Sequence, residues 1–219
     1  MDDMTLSLYV LLGAALLAVV VFLLTRRAAK RREEELSAWC ARNGYRLTIR
    51  KEPTAKEIRV EGDGWQMQSR MRAIVNSTDS GSSGWQRETE WICQDANPLR
   101  QTFALQLTAG ATDLDRLPQW LRDTALGALR LWLGDWAQEL SSTRTAFCEN
   151  GRTAVVFETR EHAADATLER LRVLLGQYRG KLPLYLESAP ANIRLRLPDV
   201  MIDTFRETEE LLRLTKALK

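Results

Sequence analysis

The sequence predicts an α+β protein in which an N-terminal transmembrane helix is followed by a mainly antiparallel sheet with packed helices. The first observation behind this prediction is an uncharged, apolar run at positions 6–24. Such a run fits a membrane-spanning helix, whereas a helix in a soluble protein normally carries a polar stripe. The second observation is that strand-like segments come in series before helical periodicities are interposed, which is typical of α+β domains.

The apolar run predicts a membrane anchor over residues 1–25. As a helix the run is about 28 Å long, and the hydrocarbon core of a bilayer is about 30 Å thick. A cleaved signal peptide would instead have a basic start, a shorter apolar stretch and small residues at its cleavage site. This chain starts with the acidic residues Asp2 and Asp3 and follows the run with Arg26 and Arg27. These departures favour an uncleaved anchor.

A cluster of basic residues predicts the orientation of the anchor. The cluster follows the apolar run and consists of Arg26, Arg27, Lys30, Arg31 and Arg32. The positive-inside rule places the N-terminus outside and the C-terminal domain in the cytoplasm, with a bacterial inner membrane as the expected location. The same side chains are candidates for contact with the bilayer surface and its anionic lipid head groups. A topology signal alone also explains them, and we favour that simpler interpretation.

The rest of the chain is predicted to contain two further parts. Residues 26–44 are expected to form a charged helical stalk that continues from the anchor and ends at Asn43-Gly44. Residues 45–219 are expected to form a cytoplasmic α+β domain. If this segment folds as two domains instead of one, its composition places the boundary near residues 110–112.

Alternation of apolar and polar residues predicts a meander of about five antiparallel strands in the first half of the domain. The segments are residues 45–49, 58–60, 65–75, 87–94 and 101–108. The turn signal Gly62-Asp63-Gly64 joins the second strand to the third. A loop rich in serine and glycine, residues 76–84, is expected to be flexible.

Helices and hairpins are predicted to alternate in the second half of the domain. The apolar face of a helix over residues 113–140 is so wide that we expect the helix to be central and covered on more than one side. Asn150-Gly151 predicts a hairpin over residues 144–157. The remaining segments are a helix at 163–178, strands at 184–186 and 193–197, and a helix that starts at Pro198.

Charge and cysteine content exclude several classes of function. The net charge of +2 over 219 residues is too small for the basic surface of a nucleic-acid-binding protein, so no nucleic acid partner is expected. The three cysteines, Cys40, Cys93 and Cys148, are odd in number and widely spaced. This pattern excludes a disulfide framework and the usual zinc spacings. We expect all three to be reduced, small core residues.

No catalytic, cofactor-binding or metal-binding residue is predicted. A Cys–His pair is conceivable between Cys148 and His162, which flank the Asn150-Gly151 turn. We favour an exposed histidine at a helix start and an inert thiol instead. Phosphate-binding glycine motifs do not occur in the sequence. Asp113 and Asp115 are interpreted as capping residues for the helix that follows them.

Trp85 is the candidate contact residue for a partner. The chain has seven tryptophans, most of them at periodic positions that core packing explains. Trp85 stands instead at the edge of the loop rich in serine and glycine, beside a strand. An exposed aromatic side chain there is suited to anchoring a protein partner, whose identity the sequence does not indicate.

We interpret the chain as a membrane-tethered cytoplasmic interaction or scaffold protein, because a large core occurs without a recognisable catalytic constellation. Two alternatives stay open. A membrane-anchored sensor would bind a small ligand in a pocket lined by several tryptophans. An enzyme with an unrecognised site would show buried carboxyl groups with raised pKa values. The layout is similar to that of bacterial membrane-tethered proteins, which is a resemblance of organisation and implies no function.

Overall fold

The computed structural model contains one antiparallel sheet of nine strands with helices against both of its faces. This arrangement confirms the predicted α+β class. The structure describes residues 3–74, 84–93, 99, 101–110, 117–160, 162–189 and 191–218, and it describes the backbone alone for residues 3–11 and 217–218. The loop predicted at residues 76–84 and the capping residues predicted at Asp113 and Asp115 lie outside the described residues, apart from Gly84.

The described helices and strands follow one another along the chain in the predicted order. The helices are α1 (Asp3–Arg42), α2 (Gln119–Leu133), α3 (Asp165–Gln177) and α4 (Phe205–Leu218). The strands are β1 (Arg46–Glu52), β2 (Ala55–Gly62), β3 (Trp65–Ile74), β4 (Gly84–Cys93), β5 (Phe103–Ala109), β6 (Ser142–Glu149), β7 (Arg152–Glu158), β8 (Leu184–Ser188) and β9 (Ile193–Pro198).

The surroundings of α1 differ along its length of 40 residues. Its apolar side chains from Leu12 to Leu24 are exposed, and α1 is the one described helix that is long and apolar enough to cross a membrane. Near its other end, Leu36, Trp39 and Cys40 are buried in the main core. Helix α1 is therefore both a candidate membrane anchor and a structural part of the domain.

The strands lie in the order β1-β2-β3-β4-β9-β8-β5-β7-β6. The first four strands form a meander as predicted, but the prediction that β5 continues it was wrong. Strand β4 pairs with β9, while β5 pairs with β7 and β8. Strands from both sides of the predicted boundary at 110–112 thus belong to one sheet, although residues 111 and 112 lie outside the described residues.

The side-chain pattern of β9 explains why this strand lies between β4 and β8. Its alternate side chains, Ile193, Leu195 and Leu197, are buried in the main core. On the opposite face, Arg194 Nε lies 3.1 Å from Glu90 Oε1 on β4, and Arg196 Nε lies 2.9 Å from Glu187 Oε1 on β8. Opposite charges on neighbouring strands stabilise their pairing. Burial and charge therefore both match β9 to this position.

The two faces of the sheet are covered unequally. On the helix-covered face, α1, α3 and α4 enclose the main core with the strands. On the other face, termed the open face, α2 forms a smaller core with β5, β7 and β8 through side chains such as Leu129 and Phe157. Strands β1 to β4 present mainly charged and polar side chains on the open face. On the open face, the hydrophilic surface of β1 to β4 therefore lies beside α2.

Helix α2 is shorter than predicted at its C-terminal end. Gly134 has a φ of 92°, a conformation that favours glycine, and the 3-10 helix Asp135–Glu139 follows it. Arg130 Nε donates a hydrogen bond of 2.8 Å to the Leu140 carbonyl, which closes this segment back onto α2. The apolar periodicity across residues 113–140 therefore extends over two helical elements and does not correspond to one continuous helix.

Helix α4 starts seven residues later than predicted, at Phe205 instead of Pro198. Asp199 has a φ of 59°, which is incompatible with a helical start at that residue. The hydroxyl of Thr204 accepts a hydrogen bond of 3.3 Å from the Glu207 amide and donates one of 2.8 Å to the Glu207 carboxylate. This variant of a capping box sets the true start of α4.

The hairpin predicted at Asn150-Gly151 is confirmed. Asn150 and Gly151 have φ values of 52° and 69°, as the two central residues of a type I′ turn require. The turn joins β6 to β7, whose pairing continues to Ser142 and Glu158 with one bulge. The turn therefore lies one whole strand length away from the segment that leads into α3.

Candidate functional site

Helix α2 exposes three large apolar side chains, which we term the α2 surface: Trp120 and Leu131 on its outward side, and Trp132 on the flank that borders the sheet. The exposed fractions are 65% for Trp120, 86% for Leu131 and 40% for Trp132. The prediction of a central helix was wrong, because one side of α2 contacts the sheet and the other is open. Core packing, which was expected to explain most of the tryptophans, does not account for the exposure of Trp120 and Trp132. Exposed apolar patches of this kind mark sites of interaction.

A cluster of charged side chains lies on the open face beside the α2 surface. We term it the charge cluster; it consists of Glu90, Glu187, Arg194 and Arg196. The ring centroid of Trp132 lies 4.6 Å from that of Tyr185 and 4.9 Å from the guanidinium carbon of Arg196. Trp132 therefore joins the apolar helix surface to the charged strands, and the two form one continuous surface.

Glu187 is the most deeply buried member of the charge cluster, with a side chain that is 2% exposed. Burial raises the pKa of Glu187 to about 7, although the nearby charges of Arg196 and Arg194 act in the opposite direction. The Glu187 Oε1–Arg196 Nε contact of 2.9 Å is an ion pair, but neither atom makes a well-aligned hydrogen bond. Glu187 thus titrates near neutral pH in the folded protein.

The charge cluster was missed by sequence reasoning. The available signal was the alternation of arginine with leucine in β9 and the position of Glu187 within a short apolar strand. Neither pattern indicates which strand pairs with which, and it is the pairing of β9 with β4 and β8 that brings the charges together. A raised carboxyl pKa is found at catalytic sites and also in structural ion networks. Here Arg194 and Arg196 lie beside the Glu187 carboxyl, which fits a structural ion network.

A pocket lined by aromatic side chains opens on the helix-covered face of the sheet, opposite the face that carries the charge cluster. Its lining includes Tyr45, Trp65, Trp91, Leu212 and Lys216, and its volume is about 240 Å³. Tyr45 and Trp65 meet edge to face with ring centroids 5.1 Å apart. The Trp91 side chain is buried, and its indole Nε1 has no hydrogen-bond partner among the described residues. The wall of the pocket is thus mainly aromatic and aliphatic, with Asp63, Thr215 and Lys216 as its polar lining.

Cys148 and His162 lie at opposite ends of β7. Cys148 is exposed, contrary to the prediction that it is a core residue, and its Sγ lies 3.4 Å from Thr153 Oγ1 beside the hairpin turn. His162 follows the other end of β7, about 16 Å away along a strand of this length. Its exposed ring contacts Asp165, with 3.0 Å between Nδ1 and Oδ2. The structure therefore does not bring the two residues together.

The turn that carries His162 is held by the buried carboxylate of Glu158. The Glu158 oxygens accept hydrogen bonds from the backbone amides of His162 at 3.1 Å and Ala164 at 2.9 Å. Arg144 Nε donates to the same carboxylate at 2.8 Å. These bonds fix the start of α3 and the positive φ of 63° at His162. The contacts of this network are those of a structural support.

The remaining predicted contact residues are found on exposed surfaces. Trp85 is 50% exposed at the start of β4. The five basic residues after the apolar run project from α1, where Lys30 pairs with Glu34 at 3.6 Å and Arg32 with Asp203 at 3.7 Å. Arg32 therefore contacts the folded domain as well as following the apolar run. Within the described part of the chain, no three His, Cys, Asp or Glu residues are grouped as metal ligands.

The raised pKa of Glu187 predicts a specific pH dependence of stability. The free energy of unfolding of Glu187→Gln minus that of the parent chain should increase as the pH rises from about 4.5 to about 7. The reason is that the ionised carboxylate is disfavoured in the folded state, so its cost is absent below the ordinary pKa of 4.5 and complete above about 7. The expected gain across this window is about 3 kcal/mol.

Urea unfolding of both chains in detergent at pH 4.5 and pH 8, followed by tryptophan fluorescence, measures this gain. The pKa of about 7 already includes the attraction of Glu187 to Arg196 and Arg194, so the expected gain needs no separate correction for the lost ion pairs. Glu61 on the same face, whose side chain is 33% exposed, provides the control Glu61→Gln. An equal difference at both pH values would contradict a raised pKa.

Comparison with known proteins identifies no family for this chain. No protein-family model matches it, and no curated protein matches it. Among solved structures, the crystal structure of the mycobacterial trehalose monomycolate transport factor A, TtfA, is similar with a TM-score of 0.39 and 8% sequence identity. That similarity covers 88% of this chain and 97% of the other. A TM-score this low supports no inference about function.

Proposed function

We propose that this chain is a single-pass, membrane-tethered interaction protein that presents the α2 surface to a protein partner in the cytoplasm. The observation that carries this proposal is the exposure of Trp120, Leu131 and Trp132 on one helix. Tryptophan is enriched among the residues that dominate binding energy at protein interfaces. The adjoining charge cluster supplies a polar border, and arginine near an apolar centre is common at interfaces.

The proposed topology places the anchor in a bacterial inner membrane with the domain in the cytoplasm. The support is the asymmetry of the flanks: five basic residues follow the apolar run and acidic residues precede it. The buried thiol of Cys40, which forms no disulfide, is compatible with a reducing compartment. Burial raises the pKa of the Cys40 thiol to about 11, so this group stays protonated and unreactive at neutral pH.

Reporter fusions after Lys219 test the topology. A phosphatase that is active only outside the cytoplasm should be inactive, while a fluorescent protein that matures in the cytoplasm should be bright. Replacing the five basic residues of the cluster by glutamine should move part of the population to the opposite orientation and raise the phosphatase activity. High phosphatase activity of the unmodified chain would contradict the proposed topology.

A photo-reactive amino acid at position 131 in the full-length chain tests the α2 surface in cells. It should cross-link one discrete protein, and Trp120→Gln should reduce the yield of that product. Removal of one tryptophan anchor from an interface costs about 2 kcal/mol, or roughly thirtyfold in affinity. Because both positions are exposed, the thermal unfolding midpoint of these variants should be close to that of the parent chain.

Val173 on α3 provides the matched control for the cross-linking experiment. It is an exposed apolar residue, 61% accessible, on the other side of the sheet from α2. A photo-reactive group at position 173 should not yield the product formed at position 131. If both positions give the same products, or if Trp120→Gln leaves the product unchanged, the α2 surface is not the interface.

Binding of a small ligand is a second candidate function, because the aromatic pocket fits the sensor alternative. Its walls are formed by Tyr45, Trp65 and Trp91, and the buried Trp91 N–H has no partner among the described residues. A buried donor without a partner costs free energy, which a ligand with a hydrogen-bond acceptor would recover. The pocket therefore favours a small apolar molecule with one carbonyl oxygen.

Cyclohexanone, a small apolar ketone, is a suitable probe for this pocket. It should quench part of the tryptophan fluorescence of the intact chain in a saturable manner. Trp91→Phe should weaken binding about fivefold, the value of one neutral hydrogen bond of about 1 kcal/mol. Trp120→Phe serves as the control because Trp120 lies outside the pocket. Equal affinity of the Trp91→Phe variant and the parent chain would exclude this hydrogen bond.

A further inference from the structure

The position of the sheet relative to a bilayer follows from helix α1. The apolar run ends at Leu24, and Glu33 lies nine residues further on, about 13.5 Å along the helix axis. Glu33 binds Lys51 Nζ at 2.5 Å and Lys56 Nζ at 3.0 Å. Hydrogen bonds from these lysines outweigh the effect of burial and hold the pKa of Glu33 below its ordinary value. The β1–β2 turn is thus fixed beside α1 at a defined distance from the apolar run.

Strand β3 runs back along α1 towards the apolar run. At the start of β3, Trp65 contacts Tyr45, which in turn contacts Trp39 near the end of α1, with centroid distances of 5.1 and 5.2 Å. Further along β3, Met71 is paired with Lys56, which binds Glu33. The order of these contacts shows that β3 and α1 run in opposite directions. The C-terminal end of β3 therefore points towards the bilayer.

The end of β3 extends past the level of Glu33. Ile74 lies three residues beyond Met71, which corresponds to about 10 Å. If the axis of β3 were aligned with that of α1, the levels of Ile74 and Leu24 along the helix axis would differ by about 4 Å. A tilt of the strand increases this difference. The polar layer of a bilayer is about 5–7 Å thick on each side of the hydrocarbon core. The end of the sheet is thus at the depth of the lipid head groups.

The chemistry of this end suits a lipid surface. Ile74 and Trp85, on adjacent strands, are 40% and 50% exposed. Arg50, Arg70 and Arg72 line a cavity of about 340 Å³ together with Lys56 and the carboxylates of Glu52 and Glu57. The Nε atom of Arg70 is buried without a hydrogen-bond partner among the described residues. Tryptophan favours the membrane interface, and arginine binds phosphate strongly.

We propose that this end of the sheet, termed the sheet tip and defined by Arg50, Arg70, Arg72, Ile74 and Trp85, docks onto the leaflet from which α1 emerges. Trp85 and Ile74 enter the head-group layer, and the arginines bind the phosphate groups of anionic lipids. The domain thereby has a second contact with the bilayer that does not depend on a partner at the α2 surface. Trp85 contacts lipid in this arrangement, not a protein.

Spin labels on the full-length chain in vesicles test this contact. The vesicles contain phosphatidylcholine and phosphatidylglycerol, and the background carries Cys148→Ser because Cys148 is the exposed cysteine among three. One chain carries the label at Trp85→Cys. The matched control carries it at Asp63→Cys, in the β2–β3 turn at the opposite end of the sheet. Collision with oxygen reports contact with lipid, and collision with a water-soluble nickel chelate reports exposure to water.

The label at position 85 should collide more with oxygen than with the nickel chelate, and the label at position 63 should show the reverse. Equal exposure of both labels to the nickel chelate would overturn the proposal. Combining Arg50→Gln with Arg72→Gln should return position 85 towards water, whereas Arg46→Gln at the other end of β1 should not. If the double substitution leaves position 85 in lipid, phosphate binding by the arginines is overturned. Circular dichroism of each variant verifies that the fold is retained.

Discussion

The packing of the last turns of α1 against the sheet determines how the whole molecule is arranged. The burial of Leu36, Trp39 and Cys40 makes the helix part of the main core, so that the apolar run and the domain share one continuous backbone helix. A flexible linker would leave the domain free to turn in any direction. Here the ion pairs of Glu33 with Lys51 and Lys56 fix which end of the sheet lies nearest to the apolar run.

The same constraint explains why the two faces of the sheet differ. Helix α1 occupies the helix-covered face together with α3 and α4, so apolar side chains from every strand of the first half can be buried there. Among the described helices, α2 alone covers the open face, and it covers the strands of the second half. Strands β1 to β4 consequently alternate between apolar and polar residues, as expected for a sheet with one solvated face.

Most local elements of this fold could be predicted from the sequence, whereas their pairing could not. The Asn150-Gly151 turn and the alternation in β2 and β3 are encoded within a few residues, so the sequence predicts them directly. The insertion of β9 between β4 and β8 depends on residues about a hundred positions apart, and single-sequence patterns carry no such pairing. The start of α4 was available in the Thr204–Glu207 capping box but was masked by the nearby Pro198.

The candidate sites differ in how far the sequence indicates them, for a physical reason. Trp85 stands beside a loop signal, so its exposure could be predicted from its neighbours. Trp120 and Leu131 lie outside the apolar periodicity that contains Leu129, and this pattern does not indicate whether another layer covers their side of the helix. Whether they are buried depends on how many layers pack on the open face, a property of the assembled sheet.

Glu187 shows how the α2 surface and the charge cluster depend on each other. The cluster lies beneath Trp132, whose ring contacts both Tyr185 and Arg196. A partner that covers Trp132 would exclude solvent from its ring and from the Arg196 guanidinium in contact with it, and would thereby reduce the screening of the charges. Reduced screening strengthens the attraction to arginine, which favours the ionised carboxylate, while desolvation favours the neutral form. Burial already dominates in the free chain, where the pKa is about 7. The ionisation of Glu187 and the covering of Trp132 are therefore linked, because each changes the free energy of the other.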